Sequence, residues 1–239
     1  MSPDDDQFIS SIYNYCDRWC ERCEFTSRCR VFADESTREP LSDDPMEDAI
    51  LTVTQSFAEA LQLLKNNAAK FGIDVDAAND PKLEKAIERQ REIVDATVLV
   101  RTAKDYGFAS LSLLENAETL GLDVDDLLTE DMLSMVGWYQ FFIGAKLHRA
   151  YHGIVDLDGD EDVDALRDPG SDANGSAKVA QIAIDNSVLA WTYLLNDRNA
   201  DVIKPLIETL ETIRSQTEAK FPIAREFVRP GFDEIQTVM

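Results

Sequence analysis

Thr129-Glu-Asp-Met-Leu-Ser-Met-Val-Gly-Trp-Tyr-Gln-Phe-Phe-Ile-Gly-Ala-Lys-Leu-His-Arg-Ala-Tyr-His-Gly153 is the stretch on which the fold turns. Thr129-Glu130-Asp131 is an acidic helix opening. The most apolar run of the chain follows, through Met132, Trp138, Phe141, Phe142 and Leu147, and Gly153 closes it. Outward from it, helical spacing recurs. On the C-terminal side an acidic loop, Asp156 to Asp172, separates it from a helix over Ser176–Leu195. A last helix covers about Ala200 to Lys220, with Pro205 bending it or marking a late start, and an irregular tail begins at Phe221. On the N-terminal side Phe108–Leu120 forms a helix ended by Gly121. Asp80-Pro81 opens another, carrying Leu83, Ile87, Val94 and Val98 and interrupted by Gly107. Asp44-Pro45 opens a third, through Ile50, Val53, Phe57, Leu61 and Leu64 to Gly72.

Segments with strand alternation and hairpin dipeptides are nearly absent. The expectation is therefore an all-α helical bundle with a cysteine-rich N-terminal segment. It divides into residues 7–32 (cysteine-rich), 33–45 (acidic linker), 46–221 (bundle) and 222–239 (irregular tail). A faint internal repeat agrees: Phe57-Ala-Glu-Ala-Leu to Gly72-Ile-Asp-Val-Asp echoes Phe108-Ala-Ser-Leu-Ser-Leu to Gly121-Leu-Asp-Val-Asp.

Composition narrows the function classes. The chain has 239 residues, of which 44% are hydrophobic, with 23 Lys+Arg against 46 Asp+Glu, a formal net charge of −23. A nucleic-acid binder needs cations facing phosphates, and an anionic membrane surface attracts them too, so neither partner is expected. No run approaches the roughly 18 apolar residues of a membrane span. The start, MSPDDDQFISS, has neither the basic region nor the apolar core of a signal peptide, so a cytoplasmic address with reduced or metal-bound thiols is expected. The acidic residues are scattered, which reads as a solvated surface of the kind that suits high salt before it reads as a dock for a basic partner.

All four cysteines fall within Tyr13-Asn-Tyr-Cys16-Asp-Arg-Trp-Cys20-Glu-Arg-Cys23-Glu-Phe-Thr-Ser-Arg-Cys29. Cys20 and Cys23 have the two-residue gap at which neighbouring thiolates chelate one ion or cluster. If a helix runs from Phe8 to about Cys23, then Cys16, Cys20 and Cys23 share a face, and a turn returns Cys29 to them. Arg18, Arg22, Arg28 and Arg30 would balance the thiolate charge. Tyr13, Tyr15, Trp19, Phe25 and Phe32 would shield the centre from water. Redox-active thiols, disulfides and inert core cysteines are the competing readings. Within the metal reading, zinc suits a compact staple, whereas an iron–sulfur cluster suits the aromatic cover and close spacing and takes narrow precedence.

Two resemblances attach to these residues. The triplet Cys16-x3-Cys20-x2-Cys23 is similar to that of radical S-adenosylmethionine enzymes, which implies a β/α barrel downstream. Helices follow instead, and Cys29 would occupy the iron that the cofactor needs. Tyr15-Cys-Asp-Arg-Trp-Cys-Glu-Arg-Cys, Trp138-Tyr139 with Lys146-Leu-His-Arg-Ala, and Gly175-Ser-Ala-Lys-Val-Ala with Ala190-Trp191 resemble an uncharacterised bacterial family. That resemblance spans most of the chain and implies no activity.

A weaker second metal site is His148 and His152, four apart on one helix face, with Asp185 as a third ligand. DinB-like bundles offer a loose analogy, although their third histidine is missing. Interaction with the helix C-terminus, with Asp185 paired to Lys178, Arg149 or a helix end, accounts for these residues without a metal and takes precedence. Asp156-Leu-Asp-Gly-Asp-Glu-Asp-Val-Asp164 alternates carboxylates, but Glu161 and Arg167 occupy the positions at which a calcium loop needs glycine and glutamate. The functions expected are a four-cysteine iron–sulfur or zinc protein with a redox or protein partner, or a non-catalytic interaction module held by a zinc staple. A metalloprotein built on the histidine pair is the third.

Overall fold

The computed structural model describes residues 7–72 and 80–233. Eight helices carry the described chain: α1 (Arg30–Thr37), α2 (Pro45–Lys70), α3 (Pro81–Ala96), α4 (Val98–Leu114), α5 (Leu127–His152), α6 (Val163–Arg167), α7 (Asp172–Leu194) and α8 (Ala200–Lys220). Among the described residues the only β pairing is an isolated bridge between Val155 and Glu161. The all-α bundle is the fold.

Aspartates start the helices. Asp44, Asp80, Asp126 and Asp162 each accept amide hydrogen bonds from the first turn of the helix that follows, and Ser171 does so for α7. A short side chain that accepts these bonds satisfies amides that have no partner inside the helix, and a negative charge there also suits the helix dipole. Part of the acidic excess is thereby local structure. The Asp156–Asp164 run behaves in the same way. Asp156 Oδ1 accepts from the amides of Asp158 and Asp160, and Asp162 caps α6, so this loop is a folded connector.

Helices α4, α5, α7 and α8 form a closed ring in which each packs against two others. Val136, Ile143 and Leu147 of α5 meet Leu99, Val100, Ala103 and Tyr106 of α4. Ala180, Ile184 and Trp191 of α7 and Ile203, Leu210 and Ile213 of α8 complete the core. Helix α7 is buried nearly all round, as the small residues Ala173, Gly175, Ala177, Ala180 and Ala183 require of a helix enclosed by its neighbours. Deep in this core Trp191 Nε1 donates to the hydroxyl of Tyr106 at 3.0 Å.

Several expectations change. The helix from Phe8 to Cys23 does not form. Two short 3-10 turns replace it, at Ile12–Asn14 and Cys20–Arg22, and a third follows at Thr26–Arg28. Ser11 and Arg18 both take φ of 62°, Asp17 Oδ1 captures the Trp19 amide, and the Ile9 amide reaches across to the Arg28 carbonyl. Side-chain capture of nearby amides competes with a helical ladder, and here it wins. Helix α1 extends into the stretch expected as a linker. The break between α3 and α4 falls at Thr97, whose hydroxyl donates to the Ile93 carbonyl, and not at Gly107. Gly107 lies inside α4, where a Cβ would come within 2.8 Å of the Gln140 carbonyl of α5. Pro205 sits inside α8, which begins at Ala200. Gly72 and Gly121, the stops of the suspected repeat, both adopt left-handed φ. Residues 73–79, which follow Gly72, lie outside the described residues. Helix α2 is not part of the bundle: Ala68 is its one buried residue, and its apolar side chains face outward.

Candidate metal centre

Residues 7–32 wrap onto one side of the bundle through contacts that the 3-10 turns set up. Trp138 Nε1 of α5 donates to the Asp17 carbonyl at 2.9 Å, and the Tyr139 hydroxyl donates to Asp17 Oδ2 at 2.7 Å. Lys146 Nζ donates to the Asn14 carbonyl, and Arg22 pairs with Asp131 at 2.5 Å. Trp19 stacks on Trp138 with ring centroids 5.1 Å apart. Tyr15 packs on Phe227 and bonds Asp172, and a Cβ on Gly175 would lie 2.5 Å from the Tyr15 ring. Phe25 meets Phe232 edge-on, so residues 221–233 of the expected irregular tail are anchored and include a short 3-10 turn at Ala224–Glu226, while 234–239 lie outside the described residues. Lys178 reaches the Phe227 carbonyl and Asp233.

Cys16, Cys20, Cys23 and Cys29 all line one chamber under this wrap. The volume is about 20 Å³, and Ile12, Tyr13, Arg18, Trp19, Phe32 and Phe232 contribute to the walls. That is room for one water-sized guest. All four are free thiols, half-buried. Burial pushes the Cys20 thiol above its ordinary pKa, and Cys16, Glu35, Cys23 and Cys29 push the same way. Burial also raises Cys16, against the pull of the Arg18 amide, the Arg18 guanidinium and Lys146. The Phe25 amide donates to Cys23 Sγ at 3.4 Å. Among the described residues no three His, Cys, Asp or Glu side chains stand close enough together to hold an ion as they are. The thiols thus share a chamber without converging on a ligand distance, which for zinc and sulfur is about 2.3 Å.

The charge compensation differs from expectation. Of the four arginines only Arg18 lines the chamber. Arg22 lies over the Trp19 ring and pairs with Asp131, and Arg30 lies over Phe8. Lys146, a cation from α5, takes a place beside Cys16 that sequence reasoning did not assign. Of the aromatics, Tyr13, Trp19 and Phe32 line the chamber, while Tyr15 and Phe25 hold the wrap to the rest of the chain. Asp17 was also missed, although it is the polar hinge of the docked segment. Its partners Trp138 and Tyr139 lie 121 and 122 residues away, so no local signal marks it.

The second expected site does not assemble. His148 and His152 are neighbours, with ring centroids 6.3 Å apart, and His148 Nε2 lies 3.5 Å from Asp95 Oδ1. Asp185, however, faces α8 and the tail, where it pairs with Arg225 at 3.2 Å and Arg214 at 3.7 Å. A carboxylate on α7 between two guanidiniums is engaged there and does not join the histidines. His148 instead borders an open groove with Lys104, Phe108, Phe141 and Gly144, and burial holds its pKa below the ordinary histidine value.

Comparison with family models, with curated proteins and with solved structures gave no match. No described helix is long and apolar enough to cross a membrane.

Proposed function

We propose that residues 7–32 form a zinc clamp: Cys16, Cys20, Cys23 and Cys29 take up one Zn²⁺, and the ion locks the segment onto α5 and α7 as a non-catalytic interaction module. The single observation that carries this reading is the shared chamber, lined by every cysteine of the chain and sized for one ion. A four-iron cluster would need a larger space. The donor chemistry supports the same reading. Clustered thiolates repel one another and stay protonated when empty, whereas a divalent cation reverses the sign of those interactions and deprotonates them. The Phe25 amide directed at Cys23 Sγ provides the outer hydrogen bonding that orients a metal ligand. The ring cover from Trp19, Phe32 and Phe232 favours a second reading, an iron–sulfur centre with a redox partner.

Elemental analysis of anaerobically prepared, reduced protein separates them. One zinc per chain in colourless protein is expected, with retention falling as each cysteine is replaced by serine. Zinc should also be released as pH falls, because the raised thiols of Cys16 and Cys20 must be deprotonated to ligate. Brown protein with iron and acid-labile sulfide would replace zinc with the cluster. Metal-free protein, or zinc undiminished when all four cysteines are serine, would overturn the clamp.

A further inference from the structure

Helix α2 is 26 residues long, about 39 Å at the helical rise, and stands without an extensive neighbour among the described helices. Its apolar side chains are left in water: Met46 is 71% exposed, Phe57 73%, and Ile50, Val53, Leu61 and Leu64 are about half exposed or more. Helices gain most of their stability from packing one apolar face, so a bare stripe of this length marks a missing partner. The exposed stripe runs Ile50, Val53, Phe57, Leu61, Leu64. Its spacings read the same in both directions about Phe57.

That palindrome is the pattern required by a two-fold axis, where residue i meets j and j meets i. Set antiparallel on a second copy with Phe57 at the axis, the stripe places Ile50 against Leu64 and Val53 against Leu61. The charges match as well. Beside the stripe, Glu47 stands near one end of α2 and Lys65 near the other, while Asp48 lies on the far face, paired with Arg38 at 2.7 Å. Antiparallel pairing brings Lys65 of one copy within a turn of Glu47 of the other, on the same flank of the stripe. Parallel pairing would stack like charges and align the helix dipoles unfavourably. In a chain of net charge −23, this is one helix whose own charges are arranged to accept a copy of itself. We propose that α2 is a homodimerisation helix, pairing antiparallel with α2 of a second copy of this chain across Phe57.

The proposal is independent of the cysteine chamber, and full-length protein tests it. Light scattering coupled to size exclusion should give about twice the 26.8 kDa of the chain. Phe57→Glu places two carboxylates at the axis and should weaken the dimer at least about 100-fold. Phe57 is exposed, so the far-UV circular dichroism melt of the bundle should persist in that variant. Phe108→Glu, on the groove between α4 and α5, should leave the dimer intact. A photo-crosslinking amino acid placed at Ile50 should capture the peptide containing Leu64 of the other copy. A wild-type monomer at micromolar concentration would overturn the proposal, including the case in which α2 folds back onto its own bundle. So would a dimer dissolved by Phe108→Glu but not Phe57→Glu, or crosslinks from Ile50 to Ile50.

Discussion

Asp233 shows how a single carboxylate acts here. It accepts from Lys178 Nζ at 2.7 Å and from the Arg229 guanidinium at 3.0 Å, joining the tail to α7. Burial pushes its pKa up, but the hydrogen bonds from Arg229 and Lys178 prevail and hold it at about 2. A folded pKa below the unfolded value gives stability that is present above the unfolded pKa and is lost as pH falls through the folded one. Asp233→Asn should therefore cost about 2 kcal/mol in urea unfolding at about pH 6, and roughly half that at about pH 3. An equal cost at both pH values would show that the charge is not what matters. Tyr106 lies at the other extreme: buried and bonded to Trp191, it is pushed up to about 12 and stays neutral.

At the scale of elements, glycine makes a sharper test than any large side chain. Gly107 of α4 and Gly137 of α5 are both helical, and neither needs a positive φ. A methyl at Gly107 would meet the Gln140 carbonyl at 2.8 Å and the Phe141 ring, so the two helices must separate. A methyl at Gly137 would meet only Leu114 Cδ1, at an ordinary 3.6 Å. Gly107→Ala should cost about 1–3 kcal/mol by overpacking, while Gly137→Ala should gain about 0.5–1 kcal/mol by restricting the unfolded chain. Thermal midpoints that shift in opposite directions check the pair. Gly107 was legible from the sequence only as a helix breaker, because propensity is local and the reason for this glycine is a neighbouring helix.

Across the whole molecule the excess of 23 negative charges acts against compactness. The ion pairs that relieve it are mostly half-exposed, such as Arg149 with Asp172 and Lys104 with Asp95, and so contribute little each. Screening shortens from about 10 Å at 0.1 M salt to about 3 Å at 1 M. The thermal midpoint should therefore rise as sodium chloride is raised over that range. A fall would mean that the surface pairs outweigh the net repulsion.

The Cys16 segment, the Trp138–Lys146 turns of α5 and Gly175 of α7 are far apart in sequence yet meet at one interface, where Asp17, Tyr139 and Tyr15 join them. The helical character of the bundle, the Asp44 and Asp80 caps and the clustering of four cysteines were readable in the chain, because each depends on residues within a turn or two of one another. Tertiary structure decided what no local pattern encodes. It placed α4, α5, α7 and α8 in the ring and left α2 outside it. It folded the cysteine segment as turns, with Asp17 held by Trp138 and Tyr139 of α5 and by the Trp19 amide. It also sent Asp185 to Arg214 and Arg225 rather than to the histidines. Which partner a side chain meets is a property of packing, and packing is settled by the whole chain at once.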